Sequence, residues 1–384
     1  MRDACVMSFR ESGIIEICVH LSRYGIATRL ARHIYPSCVF CALSATPSSS
    51  SSSSDMPSST NCTGPSAFPF HSFVNPIVMW TLCDARHHLG LRERCSPATL
   101  KGNSQSLPLP LCVRPWKDLI SDTIKSRQRW SECDELVNMW QHSTPSVGPH
   151  GRGIFVDIGA NIGACSLAML QMTNATVLAV EPSPANLFFL TSSLRAAAAV
   201  QPDIARRVAV LPFALGNTTG HSEITASVDN AGDSMIGSAS TFASSRRRAG
   251  GKSVGSGTVG GRPGQTMPIA MTTLDKALAS PSHLWSLSIR LMKLDAQGFE
   301  CRVLDGMRQL LERGQVHALK TEVSRRHLQA QGCSEAELLE RLRQSFHVVR
   351  SEDVRHHKHK KRLKEVKGQY EVVAFAPRFS TPES

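Results

Sequence analysis

Phe155-Val156-Asp157-Ile158-Gly159-Ala160-Asn161-Ile162-Gly163 is an apolar run that breaks into a glycine-punctuated turn and leads into a helical stretch. A buried strand followed by such a turn brings backbone close to a nucleoside ligand. Gly159 and Gly163 permit tight dihedrals and keep side chains out of the ligand's way, and the following helix offers free N–H groups to a carboxylate or phosphate. Two cofactor classes use this arrangement. A nicotinamide site favours G-x-G-x-x-G/A, and here Asn161 replaces the second glycine although Ala164 fits the last place. Asp157, two residues before Gly159, would repel a pyrophosphate but favours the ammonium and sulfonium of S-adenosylmethionine.

Working outward, short β-like runs alternate with helical stretches, the pattern of a parallel sheet covered by helices. Candidate strands are Ile154 to Ile158, Thr176 to Val180, Val208 to Leu215, Ile289 to Leu294, Val316 to Val323, Phe346 to Val349 and Tyr370 to Phe375. Candidate helices are Ile162 to Met172, Pro184 to Val200 with Ser183 as N-cap, Glu300 to Arg313 and Ser334 to Ser345. The fold predicted is therefore α/β and Rossmann-like, with one seven-stranded, mainly parallel sheet flanked by helices. Glu181 ends the second strand, 24 positions after Asp157, where a carboxylate accepts both ribose hydroxyls. Asp295 ends the fourth strand at the ligand-binding edge, as a candidate base or metal ligand. Glu300 follows in a first helical turn and Glu322 near the end of the fifth strand, both within possible reach of the same pocket.

The chain has 384 residues and a formal charge of +12, with enough apolar residues (41%) for a core, which excludes wholesale disorder. No run of 18 apolar residues occurs, so we expect a soluble protein without a spanning helix. Residues 1–110, with seven consecutive serines from Ser48 to Ser54, read as a largely disordered leader. Arg23, Arg29 and Arg32 among apolar residues resemble a transit peptide, Glu11 and Glu16 oppose that, and the compartment expected is cytoplasmic or organellar. Residues 111–150 form a helical extension, with one helix over Trp116 to Trp140, and 151–378 the catalytic domain. Ile236 to Met267 reads as a disordered basic insertion, and Arg350 to Lys367 as a basic loop containing His356, His357 and His359. These two loops hold most of the net charge, unlike a nucleic-acid enzyme with a basic cleft, so a nucleic-acid partner is not expected. Nine of the 12 cysteines precede residue 150, and the later part reads as no disulfide scaffold. Sequons at Asn61, Asn174 and Asn217 arise readily by chance.

These motifs, in this order, resemble the FkbM-type methyltransferases, class I enzymes that use S-adenosylmethionine. The resemblance covers about Gly153 to Ser324. It rests on Phe155 to Gly163, Glu181-Pro182, Ala214-Leu215-Gly216, Asp229 to Ser234, Thr273-Leu274-Asp275, Lys293 to Glu300 and Val303 to Gly306. Gln297 departs from the pattern, which commonly has Glu there. The resemblance implies a cofactor site of Asp157, Gly159, Asn161, Gly163, Glu181, Ala214 and Leu215. It also implies O-methylation of a sugar, glycolipid or small natural product, with Asp295 as base or divalent-cation ligand and Glu322 and Glu300 assisting. The alternatives are an RNA or protein methyltransferase, against which no Asn/Asp-Pro-Pro-Tyr follows the fourth strand, and a non-catalytic binding domain of the same fold.

Overall fold

The computed structural model describes residues 94–142, 153–227, 234–237, 263–278, 288–350 and 369–377. Its strands are β1 (Ser96–Leu100), β2 (Leu109–Val113), β3 (Ile154–Ile158), β4 (Thr176–Val180), β5 (Val208–Leu211), β6 (Ala214–Leu215), β7 (Gly220–Ser227), β8 (Met235–Ile236), β9 (Pro263–Thr272), β10 (Ile289–Leu294), β11 (Ala318–Ser324), β12 (His347–Arg350) and β13 (Gln369–Phe375). Its helices are α1 (Leu119–Arg127), α2 (Ser131–His142), α3 (Ala164–Met172), α4 (Pro184–Val200), α5 (Asp203–Arg207), α6 (Leu274–Leu278), α7 (Glu300–Asp305), α8 (Arg308–Glu312), α9 (Arg325–Ala330) and α10 (Glu335–Arg343).

A seven-stranded sheet runs in the order β12-β13-β11-β10-β3-β4-β5. It is mixed. Pairings from β11 through β10, β3 and β4 to β5 are parallel, and β13 runs antiparallel to both β11 and β12. The central strands are apolar almost throughout because both faces are covered. Val156, Ile158, Met292 and Leu294 belong to the core on one face, and Phe155 and Leu291 to the core on the other, packed with α2, α3 and α4. Strand alternation thus places Asp157, Lys293, Lys320 and Glu322 on this second face, a polar stripe in an otherwise apolar layer.

Two further sheets fell outside the sequence expectation. One is the β1–β2 hairpin; the other is a four-stranded sheet in the order β6-β9-β7-β8. The single strand expected over Val208 to Leu215 divides at Pro212, where the missing backbone donor ends the ladder, so Ala214 and Leu215 pair with β9 in the smaller sheet. Likewise the helix expected over Trp116 to Trp140 breaks at Gln128, which adopts φ 58 and closes α1. The expected Glu300 to Arg313 helix splits at Gly306, where a Cβ would lie 1.9 Å from the Gly216 carbonyl oxygen.

Order also begins earlier than composition suggests. β1 lies inside the stretch read as leader, secured by a Cys95–Cys112 disulfide and by Lys101 N–H donating to the Gln128 carbonyl (2.8 Å). The basic insertion is shorter than expected at both ends, since Ile236 lies in β8 and 263–267 in β9; its remainder, residues 1–93 and most of the second basic loop lie outside the described residues. The cysteine expectation is overturned. Besides Cys95–Cys112, disulfides join Cys133 to Cys165 and Cys301 to Cys333, the last wholly within the part read as free of them. Composition cannot reveal pairing between residues that only the fold brings together.

The helical extension is knitted to the main sheet. Cys133–Cys165 ties α2 to α3, the Arg290 guanidinium stacks 4.5 Å over the Trp140 ring, and its Nη2 donates to the Trp140 carbonyl (2.5 Å). Among the described residues no helix is long and apolar enough to cross a membrane.

Candidate active site

At the carboxyl ends of β3, β4 and β10 a cleft opens between the large and the four-stranded sheets. Its floor is Ile158, Gly159 and Asn161; one side is Val180, Glu181, Pro182 and Asn186; Phe213, Ala214 and Leu215 continue the wall. Ile224, Ser234 and Ile236 close it from the smaller sheet, and Asp295, Ala296 and Gln297 complete the opposite side.

The Glu181 side is a hydrogen-bond cradle. Burial pushes the Glu181 carboxyl up to about 7, and backbone donors from Ser183 and Asn161 and the Asn186 amide oppose that shift. Asn161 N–H donates to Oε2 (2.8 Å), Ser183 N–H to Oε1 (2.8 Å) and Asn186 Nδ2 to Oε1 (3.2 Å). Asn161 sits at φ 54, a conformation asparagine tolerates, and this aims its N–H at Glu181. Behind it, Arg114 of the extension, 1% exposed, donates Nη2 to Asn161 Oδ1 (2.7 Å) and Asn186 Oδ1 (2.5 Å) and Nη1 to Asp118 (3.0 Å). Asn186 is thereby fixed with its amide nitrogen toward the carboxylate, and the Asn161 side chain is anchored behind its own backbone N–H.

The Asp295 side is a charge cluster. Lys293 Nζ, buried in the sheet, donates to Asp295 Oδ2 (3.0 Å) and to the Gly159 carbonyl (3.4 Å), while Gln297 Nε2 donates to Asp295 Oδ1 (2.9 Å). Asp157 and Glu132 of α2 stand 3.9 and 4.0 Å from the same ammonium. Burial would lower the lysine's pKa, but Asp295, Glu132 and Asp157 together hold it above the usual lysine value. Burial would raise Glu132, yet Lys293 and Lys320 draw it below the ordinary value. Glu322 is pushed up to about 8, by burial first and then by Asp295, Glu300 and Glu132.

Of the expected cofactor residues, Gly159, Asn161, Glu181, Ala214 and Leu215 line the cleft, and Asp157 and Gly163 do not. Asp157 points to the opposite sheet face, fully buried, where it accepts from Ser166 Oγ (2.6 Å) and secures α3 beneath the loop. Gly163, at φ 87, leaves room for Leu190 of α4, 2.5 Å from where a Cβ would stand, so its role is helix packing. Gly159 is different: its Cβ would lie 2.0 Å from the Asp295 carbonyl oxygen. Asp295 lines the cleft; Glu322 and Glu300 do not. Glu300 accepts the N–H groups of Ala296 (3.0 Å) and Gly298 (3.1 Å), which shapes the turn that presents Asp295.

The divalent cation considered at Asp295 finds no support: among the described residues no group of three or more His, Cys, Asp or Glu is placed to hold a metal, and the Lys293 ammonium, 3.0 Å from Asp295 Oδ2, would repel one. Thr273-Leu274-Asp275 is structural too. Asp275 accepts the Gln309 (2.9 Å) and Leu310 (3.1 Å) N–H groups at the start of α8. Residues 229–233 lie outside the described residues, and Ser234 alone of that segment is seen at the cleft.

Sequence reading missed Asn186, Phe213 and Gln297 as lining residues and Lys293 and Arg114 as their supports. A lysine within the apolar run Ile289 to Leu294 was a readable sign; Arg114 carried none, because its partners lie 47 and 72 positions away.

A sequence model of the Methyltransferase FkbM domain matches residues 157–359. No curated protein matches the chain. Similar solved structures include the methyltransferase FkbM from Methylobacillus flagellatus KT, at 16% identity and TM-score 0.33, over 58% of this chain and 43% of that one. The alignment therefore spans less than half of that protein. Another is the N-terminal domain of human METTL16 in complex with SAH, at 13% identity and TM-score 0.32, over 64% of this chain and 67% of that one. A third is precorrin-6y C5,15-methyltransferase from Geobacter metallireducens GS-15, at 12% identity and TM-score 0.30, over 64% and 88%.

Proposed function

The chain belongs to the methyltransferase FkbM domain family, and we propose that it moves a methyl group from S-adenosylmethionine to a hydroxyl of a sugar, glycolipid or small natural product. The observation that carries this reading is a single cleft with a carboxylate at each side, Glu181 and Asp295, and no lysine, arginine or histidine among its described lining residues. Such a lining suits a cationic sulfonium and disfavours a pyrophosphate.

S-adenosylmethionine supplies a methyl group activated by the sulfonium. Glu181 accepts the ribose hydroxyls, held in place by Asn161 and Asn186, and Phe213, Val180 and Leu215 offer an apolar wall suited to a purine. Gly159 lets the chain approach closely. Asp295 retains an open lone pair on each oxygen and takes the proton of the acceptor hydroxyl, while Lys293 and Gln297 fix its direction. Glu300 holds the turn. Glu322, pushed up to about 8 by burial and then by Asp295, Glu300 and Glu132, does not line the cleft and takes no direct part. Ile224 and Ile236 help exclude water, so alignment carries much of the rate.

Calorimetry with S-adenosylhomocysteine, followed by methyl-transfer assays over monosaccharides, glycolipids, phenolic natural products, RNA and peptides, tests the reading. Binding with turnover on a hydroxylated sugar, lipid or natural product supports it; turnover on RNA or peptide alone, or binding without any turnover, would replace it.

A further inference from the structure

Every cysteine among the described residues is paired, in three separate parts of the fold. Cys95–Cys112 closes the β1–β2 hairpin, Cys133–Cys165 joins the extension to α3, and Cys301–Cys333 joins α7 to the turn after α9, with Cα separations of 5.0, 4.6 and 6.5 Å. Three independent pairs, with no unpaired thiol among the described residues, are a feature of chains that fold where thiols are oxidised, since cytosolic reductants keep such groups free. Five of the six (Cys112, Cys133, Cys165, Cys301 and Cys333) are under 9% exposed, which suits structural bridges better than redox-active ones.

A second observation points to the same setting. Asn217-Thr218-Thr219 is a sequon whose three residues are exposed, on the bend between β6 and β7. The Asn174-Ala175-Thr176 sequon likewise presents an exposed Asn174 between α3 and β4. By composition alone these triplets meant little; in the fold both asparagines are exposed, and all three residues of the Asn217 triplet are, as an acceptor of N-linked sugar requires.

We propose that this domain matures in an oxidising, glycosylating lumen and that Asn217 carries an N-linked glycan. Each bridge forms by exchange with a disulfide-carrying oxidant, which takes two electrons and two protons from the thiol pair through a mixed disulfide. At Asn217 the side-chain nitrogen attacks the anomeric carbon of an oligosaccharide carried on a lipid pyrophosphate. A C–N bond forms, the sugar–phosphate C–O bond breaks, and the amide proton leaves with the pyrophosphate. This inference is independent of the acceptor of methyl transfer.

The test uses the full chain in eukaryotic cells, directed to the secretory lumen by an added signal peptide in one arm and kept cytosolic in the other. Thiols are trapped with N-ethylmaleimide before lysis, peptides are mapped with and without reduction, and glycans are released by amidase. The luminal chain should yield the three linked peptide pairs, a glycan on the Asn217 peptide, the loss of one glycan in Asn217→Gln, and a higher melting temperature than the cytosolic chain. Alkylated partners in the luminal chain, or a cytosolic chain that melts at the same temperature, would overturn the oxidising compartment. A bare Asn217 on a fully bridged luminal chain would overturn the glycan.

Discussion

Glu181 and Asp295 occupy equivalent places, each just beyond the carboxyl end of a parallel strand, yet the protein treats them in opposite ways. Glu181 is nearly buried and surrounded by neutral N–H donors, so its charge is costly and its pKa rises. Asp295 faces a lysine locked into the sheet and a glutamine amide. A neutral cradle with a direct carboxylate suits a ligand that brings its own hydroxyl donors. A carboxylate steered by a fixed cation suits a group that must point at a reacting atom. On the proposed function this difference separates holding from reacting, and the following measurements probe it.

The largest effect is expected where the two halves touch. Gly159→Ala places a Cβ against the Asp295 carbonyl and strains a residue at φ 80, so it should cost about 3 kcal/mol or more of stability in denaturant unfolding and impair binding and turnover together. Unchanged stability would mean the halves are separable. Next, Asp295→Asn keeps shape and removes charge: turnover should fall roughly 100-fold, about 2.7 kcal/mol, with S-adenosylhomocysteine affinity nearly intact in calorimetry. If affinity falls as far as rate, the division of labour is mistaken, and full turnover would leave alignment alone as the catalyst.

Glu181→Ala should do the converse and weaken S-adenosylhomocysteine binding by about 1–3 kcal/mol through lost charge-assisted hydrogen bonds. Equal binding by variant and parent would remove Glu181 from the ribose.

The smallest effect is in pH. With the proposed ribose contact to the Glu181 carboxylate, affinity should fall as pH drops below about 7, by at most about tenfold per unit, and Glu181→Gln should flatten the profile. Ligand-free stability should move the other way. Glu181, Glu300 and Glu322 all bind protons more tightly when folded, at about 7, 7 and 8, than at the ordinary value of 4.5, so their contribution is full below 4.5 and is lost as pH rises through those folded values. Melting curves across that range that rise toward alkaline pH would contradict the assigned shifts.

The same contrast explains what the sequence made legible. The cradle's main parts are local: a strand, a glycine turn and the next strand-end acid recur at short spacing, so Gly159, Asn161 and Glu181 could be read off. Ala214, Leu215 and Asp295 followed from strand counting and motif order. The charge cluster's supports come from far apart in the chain, Glu132 from α2 and Glu322 from β11, and no periodicity links them. Pro212 and Gly306 end elements for reasons of pairing and close contact, which is why one strand and one helix were each drawn too long. Asp157 does not line the cleft because β3 alternates with period two: with Phe155 in the core beside α3, Asp157 faces that side also.

The Gly159–Asp295 contact also bears on how such an enzyme diversifies. A floor residue that cannot gain even a methyl group without displacing the neighbouring strand end leaves no freedom at the junction itself, so lineages that change acceptor must do so elsewhere. Across the cleft, Ile224 and Ile236 are packed into the core of the smaller sheet and Ser234 precedes β8, so that wall is built apart from the Gly159–Asp295 junction. On the proposed function, substitutions confined to those three positions test whether that wall sets the choice of acceptor.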